Sequence, residues 1–207
     1  ATSLASTGIR FISPKDQVIF DGDDILTGSG RPFSVFTPYS RAWLKRLLAE
    51  GIAPHDAGGQ LATPPLPERI PDLAELGFTP VDPLLAGLNP GMSGARRTWQ
   101  NFQDRLEAYH HDRDFPALRA TSQLSPHLRF GTISIRELVA HAWRNTGAGT
   151  ETWLKELIWR DFYFQILDHH PRVVTATFKP EYGAIRWNDW PQGLAAWQEG
   201  MTGYPLI

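Results

Sequence analysis

Apolar positions recur with helical spacing through most of the chain, and the helical stretches are separated by proline-rich passages. Residues 150–169, "TETWLKELIWRDFYFQILDH", carry the strongest pattern. Leu154, Leu157, Ile158 and Phe162 recur at intervals of three and four, which predicts one apolar face of a helix from Glu151 to about His169. Thr150 stands where an N-cap belongs, and Pro171 follows the end. Trp99, Phe102, Leu106 and Tyr109 predict a helix over residues 94–110. Ser134 with Glu137 predicts a capping box for a helix through about Arg144. Trp43, Leu44, Leu47 and Leu48 mark a helix with Pro38 near its first turn and Gly51 as its stop. Leu194 and Trp197 mark a short helix near 191–199.

Between these stretches the pattern weakens. Val18-Ile19-Phe20 is a short β-prone run, closed by the turn sequence "DGDD", and Phe33 to Phe36 read as extended. Residues 52–90 hold "TPPLPER" and "LNPGMSG". They predict a long crossing linker with one short helix near Asp72–Leu76, anchored by Leu61, Leu66, Leu73 and Phe78. No internal repeat or low-complexity tract is present.

Composition narrows the class. The 207 residues suffice for one sizeable core or two modest domains, and 42% hydrophobic with 20% charged residues is the balance of a globular protein. A formal charge of -2 provides no global basic field to recruit nucleic acid, although a local basic patch is compatible with it. The absence of cysteine excludes disulfides and thiolate metal sites. With no 18-residue apolar run and no signal-peptide pattern, the expectation is a cytoplasmic protein with no membrane association.

Three stretches hold candidate chemistry. On the 151–169 helix, Glu156, Trp159, Arg160 and Tyr163 fall at i, i+3, i+4 and i+7 and share one face. That face is either an exposed ion pair beside core aromatics or the polar-aromatic wall of a pocket. In the second reading an indole stacks on a planar group and Glu156 accepts hydrogen bonds from an amide or imide. In "TSQLSPHLRFG", residues 121–131, Pro126 fits the first position of a helix with Ser125 as its N-cap. The preceding hydroxyls of Thr121 and Ser122 lie in non-helical chain. This is either plain capping or a phosphate cradle, since free amides and hydroxyls at a helix start bind anions. His127 reads as structural or surface, Arg129 as a phosphate contact or one side of a surface pair.

In "YHHDRDF", His110 and His111 diverge on a helix and no third imidazole is suitably spaced, so no metal site is expected. Seven arginines against four acids between Arg96 and Arg136 suit phosphate contacts or a solvated surface. No nucleophilic triad is evident, and "GSG" at 28–30 lacks the strand–turn–helix setting of a dinucleotide fingerprint.

Four segments occur in an order that resembles the photolyase/cryptochrome family: "FSVFTPYSRAWLKRL", "YHHDRDFPALRATSQLSPHLRFGTIS", "WLKELIWRDFYFQIL" and "AWQEGMTGYPLI". The likeness is greatest to class I cyclobutane pyrimidine dimer photolyases and covers nearly the whole chain. It implies a mainly α fold, with part of a helical FAD-binding domain preceded by the tail of an α/β antenna domain. Residues 1–40 would be that tail, 41–90 the linker and lead-in, and 91–207 the first part of the FAD domain. The chain thus reads as an internal piece of a longer protein.

The resemblance also implies roles. Tyr109, Thr121, Ser122, Gln123, Leu124 and Ser125 match FAD-contacting positions, mainly around the phosphates, and Trp153 and Arg160 match further flavin-pocket positions. Glu156 and Trp159 match residues that hydrogen-bond and stack on the pyrimidine dimer. Arg113 matches a DNA-backbone contact. Trp187 resembles the surface-end tryptophan of the photoreduction chain, with its inner partners, the Asn near flavin N5 and the acidic residues of the ring site expected after Ile207. The activity implied for the complete protein, a monomer acting on damaged DNA, is a deoxyribodipyrimidine photo-lyase reaction driven by light through reduced FAD. The alternative is a cryptochrome-type signalling flavoprotein without repair. A second, antenna chromophore is implied but not its type. The Cys-Lys pair near a folate antenna is missing from "PRVVTATFKP".

Overall fold

The computed structural model describes residues 6–8, 10, 15, 17–52, 69, 71–79, 87–187 and 190–205. They form two compact units, residues 1–169 and 170–207. The first unit is built on six helices: α1 (Phe36–Glu50), α2 (Gly91–Gln103), α3 (Tyr109–Asp112), α4 (Ser125–Arg129), α5 (Ile135–Arg144) and α6 (Ala148–His169). No strand forms among the described residues, so the fold is helical. The β-prone run at 18–20 instead lies as buried irregular chain, and the isolated bridge between Leu26 and Pro32 is the sole β pairing described.

Helix α6 is the axis of this unit, and α1, α3 and α5 all pack on it. Its side chains at 153, 154, 157, 158, 161, 162 and 165 are buried. Helix α1 meets it through Tyr39, Trp43 and Leu47, at i, i+4 and i+8, each at most 1% exposed. Filling such positions stabilises by roughly 1.5–3 kcal/mol per side chain. The chain bends at Ser34 and Val35, and α1 starts at Phe36, inside the stretch that the sequence reads as extended. Gly51 ends it at φ 67°, its N–H donating to the Leu47 carbonyl, a left-handed geometry that a Cβ disfavours.

The helix expected over 94–110 is divided. Regular bonding stops at Gln103, and the chain tightens through i→i−3 bonds from Arg105, Leu106 and Tyr109 before α3 begins. The extra winding carries both Leu106 and Tyr109 into the core, at 5% and 7% exposure. The same tight turn accepts the start of α6. A Cβ on Gly149 would lie 1.9 Å from the Leu106 carbonyl oxygen, so only glycine permits the approach.

Three expected caps are not made. Helix α6 begins at Ala148, leaving Thr150 buried inside its first turn rather than capping it. Ser134 occupies the N-cap position of α5 without a side-chain bond, so the capping box with Glu137 is not formed. Ser125 is the first residue of α4, and Leu124, with φ −90° and ψ −4°, stands at the cap. Residues 72–76 form a turn, with Asp72 and Glu75 exchanging side-chain-to-backbone bonds of 2.9 Å. Leu73 and Phe78 are exposed there rather than packed into the core, and Leu61 and Leu66 lie outside the described residues.

The second unit contains two 3-10 turns, Pro171–Val174 and Pro180–Ala184, and the short helix α7 (Pro191–Gln198), where the sequence predicts one.

Candidate functional site: a cationic cavity beside the polar face of helix α6

The end of α3 and the middle of α6 meet through charge. Arg113 follows α3, and its Nη1 donates to Glu156 Oε1 at 2.5 Å. The bond to Glu156 holds the guanidinium pKa above its ordinary value. The same guanidinium lies over the Tyr109 ring, 5.4 Å from its centroid. Burial raises the Tyr109 phenol's pKa, so it stays a neutral hydroxyl at physiological pH. Tyr109, Arg113 and Glu156, the last two 43 residues apart in sequence, are thereby one cluster.

Arg113 also lines an open cavity of about 720 Å³. Arg105, Arg119, Thr121 and Gln123 line it too, with no acidic side chain among the lining residues. Gln123 is the one described non-glycine residue with a positive φ, 56°. Its amide donates to Thr121 Oγ1 at 2.6 Å, while Ser122 Oγ accepts from the Leu124 N–H at 3.4 Å. The left-handed residue makes an abrupt bend between the two hydroxyls and α4. Ser125 is exposed on that bend. Leu124 is 1% exposed, its N–H donating to Ser122 Oγ and its carbonyl accepting from the Leu128 N–H. Three guanidiniums, a threonine hydroxyl and a bent backbone form a donor set suited to phosphate oxygens.

Other expected site residues lie elsewhere. Trp153 is 3% exposed and stacks on Trp99 with centroids 5.0 Å apart, so its indole serves the core. Arg160 turns toward the N-terminal segment. It donates to the Gln17 carbonyl and, at 3.2 Å, to Gln17 Oε1, and lines a separate cavity of about 250 Å³ with Arg96 and Glu137. Trp159 stands one turn beyond Glu156, stacked on Phe36 with centroids 3.6 Å apart. Tyr163 is 62% exposed. Trp187, in the second unit, is 85% exposed. His127 is buried, its Nδ1 2.9 Å from Thr132 Oγ1, which makes it structural. No group of three potential metal-binding side chains occurs among the described residues.

Comparison with known proteins draws these observations together. The family model described as DNA photolyase matches residues 1–65, and that described as the FAD-binding domain of DNA photolyase matches residues 153–207. The chain belongs to the DNA photolyase family. Among curated family members, the deoxyribodipyrimidine photo-lyase of Streptomyces griseus is 35% identical over 214 residues, covering 99% of this chain and 44% of the relative. That of Halobacterium salinarum is 34% identical over 222 residues, covering 99% and 45%. The crystal structure of a bacterial class III photolyase from Agrobacterium tumefaciens matches with a TM-score of 0.82 at 31% identity, over 99% of this chain and 44% of that one. The chain therefore spans less than half the length of these photolyases.

In this member of the photolyase family, sequence reasoning missed Asp161. It is 1% exposed, and its Oδ2 accepts from the backbone N–H of Ile19 (3.0 Å) and Phe20 (3.4 Å) and from Trp43 Nε1 (3.0 Å). Burial raises its pKa to about 6, against the opposing pull of those three donors. The available signal was an acid inside the apolar stripe of α6, three residues after Ile158 and four after Leu157. Arg105 and Arg119 were also missed as members of one cavity. They come from separate irregular segments, and no periodicity links them.

Proposed function

We propose that the complete protein repairs cyclobutane pyrimidine dimers in DNA by light-driven electron transfer from reduced FAD. The observation that supports this most is the Arg113–Glu156 pair, placed on the same α6 face as Trp159 and beside the cationic cavity. The residues fit the cofactor's phosphate end. Thr121, Ser122, Gln123 and Ser125 would hold the pyrophosphate, with buried Leu124 supporting the loop from beneath and Arg105 and Arg119 balancing the charge. Trp153, committed to the core, fits a supporting place behind the site better than a direct contact. When bound, reduced FAD supplies the excited electron that splits the dimer and takes it back afterwards.

The chain's own groups orient the lesion. A flipped dimer presents imide N–H and carbonyl groups. Glu156 accepts from the imide, and Arg113, released toward the backbone, pairs with a phosphate while staying near enough to balance Glu156. Trp159 offers an indole face to one pyrimidine. Trp187, exposed as it is, suits the surface end of a path that restores reduced flavin.

The test is blue-light-dependent loss of thymine dimers with full-length protein carrying reduced FAD. Absence of repair at full cofactor occupancy rejects the proposal, and a light-dependent partner interaction in its place points to signalling. Glu156→Gln should lower repair about ten- to a hundredfold with FAD content retained, as expected for one hydrogen bond to a charged group. Trp159→Ala should weaken dimer binding, and unchanged dimer affinity would remove its stacking role.

A further inference from the structure

The indole of Trp159 has a partner supplied by a different element. Phe36, the first residue of α1, lies on it nearly parallel, at 5° and a centroid separation of 3.6 Å. Phe162 lies edge-on to Trp159 at 5.7 Å and to Phe36 at 5.9 Å, and the exposed Tyr163, one turn on along α6, also stacks on the indole at 5.5 Å and 23°. An indole plane is set by a broad terminal torsion, so it needs neighbours to fix it. Phe162 lies on the helix that carries Trp159, whereas Phe36 comes from a helix anchored separately. Seven residues on from Phe36, Trp43 is fully buried and donates to Asp161. Tyr39 meets Phe162 at 5.1 Å. The ring of Phe36 is therefore held by α1 as a whole, and it covers one face of the indole.

We infer that Phe36 is a positioning residue for Trp159, fixing the indole plane on which a pyrimidine of the dimer stacks. This rests on the reading of Trp159 as the dimer-stacking residue. A preorganised platform binds more tightly because its orientation is not lost on association. An aromatic pair contributes beyond its buried area on a scale that corresponds to about three- to tenfold in affinity. Nothing in the role calls for a polar group, so a second aromatic residue at position 36 should serve.

The test uses full-length, FAD-loaded protein and two oligonucleotides, one with a single thymine dimer and one undamaged. Phe36→Leu should weaken dimer binding about three- to tenfold, with FAD content and undamaged-DNA affinity within about twofold of the parent. Phe36→Tyr should restore dimer affinity. In a double-mutant cycle, Phe36→Leu should add nothing in the Trp159→Ala background, because its effect passes through the indole. A purely structural role would instead weaken both DNAs or lower FAD content, and would add to Trp159→Ala. Those results overturn the inference, as does unchanged or tighter dimer binding in Phe36→Leu; tighter binding would mean that Phe36 occupies the base's own place. If Trp159→Ala itself leaves dimer affinity intact, the stacking reading fails and this inference with it. If only Phe36→Leu is silent, the stacking reading stands and Phe36 has no part in it.

Discussion

Asp161 shows what one buried carboxylate does in this family member. Three donors converge on Oδ2, while Oδ1 has no partner. Asp161→Ala would leave those three donors unpaired, a loss of at least ~3 kcal/mol in denaturant unfolding. The acid also links stability to pH. Its folded pKa, about 6, lies above the ordinary 3.8, so the folded state holds a proton that the unfolded chain releases between those values. Stability from this group is fully present below about pH 4 and is lost as pH rises through 6. The parent should therefore gain stability from this site on going from pH 7 to pH 5, by on the order of 1 kcal/mol. Asp161→Asn should remove that gain, and an unchanged pH dependence in the amide variant would show that another group is responsible.

Helix α6 was the most legible element, and its limits are instructive. Its apolar stripe sets a 3.6-residue period, and the structure buries that stripe. Periodicity also placed Glu156, Trp159 and Tyr163 on one face. It did not say which aromatic would be drawn inward, because Trp153 and Trp159 differ in their neighbours on α2 and α1, not in their own pattern. Nor did it locate the true start of the helix. Thr150 has the chemistry of a cap, but Gly149 must lie against the Leu106 carbonyl, and that docking takes the helix back to Ala148. Gly149→Ala should consequently destabilise by about 2–4 kcal/mol despite alanine's better helix propensity, since the contact is with backbone and cannot relax alone. Denaturation midpoints of the two forms measure this, and equal midpoints would refute the close approach.

At the scale of the whole molecule, a formal charge of -2 conceals a local excess of guanidinium around one cavity. The motif at 121–125 was legible because its residues are contiguous. The cavity was not, because Arg105, Arg113 and Arg119 converge only after the chain tightens beyond Gln103. The proposed DNA contact has an electrostatic signature. With full-length protein, Arg113→Ala should reduce the slope of log affinity against log salt by about 1 for damaged and undamaged DNA alike. A slope equal to the parent's would take Arg113 out of the phosphate contacts. No described helix is long and apolar enough to cross a membrane.

The contacts of Asp161 also bear on the order of assembly. They join positions 118, 141 and 142 residues apart, whereas α5 and α6 are neighbours in sequence. Closing so long a stretch of chain is entropically costly, so the helical hairpin around α6 should form first and the 19–43 segment dock onto it late. An interaction absent from the rate-limiting barrier acts on escape from the native state. Loss of the carboxylate should accordingly leave the folding rate nearly unchanged and accelerate unfolding, so that Asp161 governs how long the folded molecule persists more than how quickly it is reached.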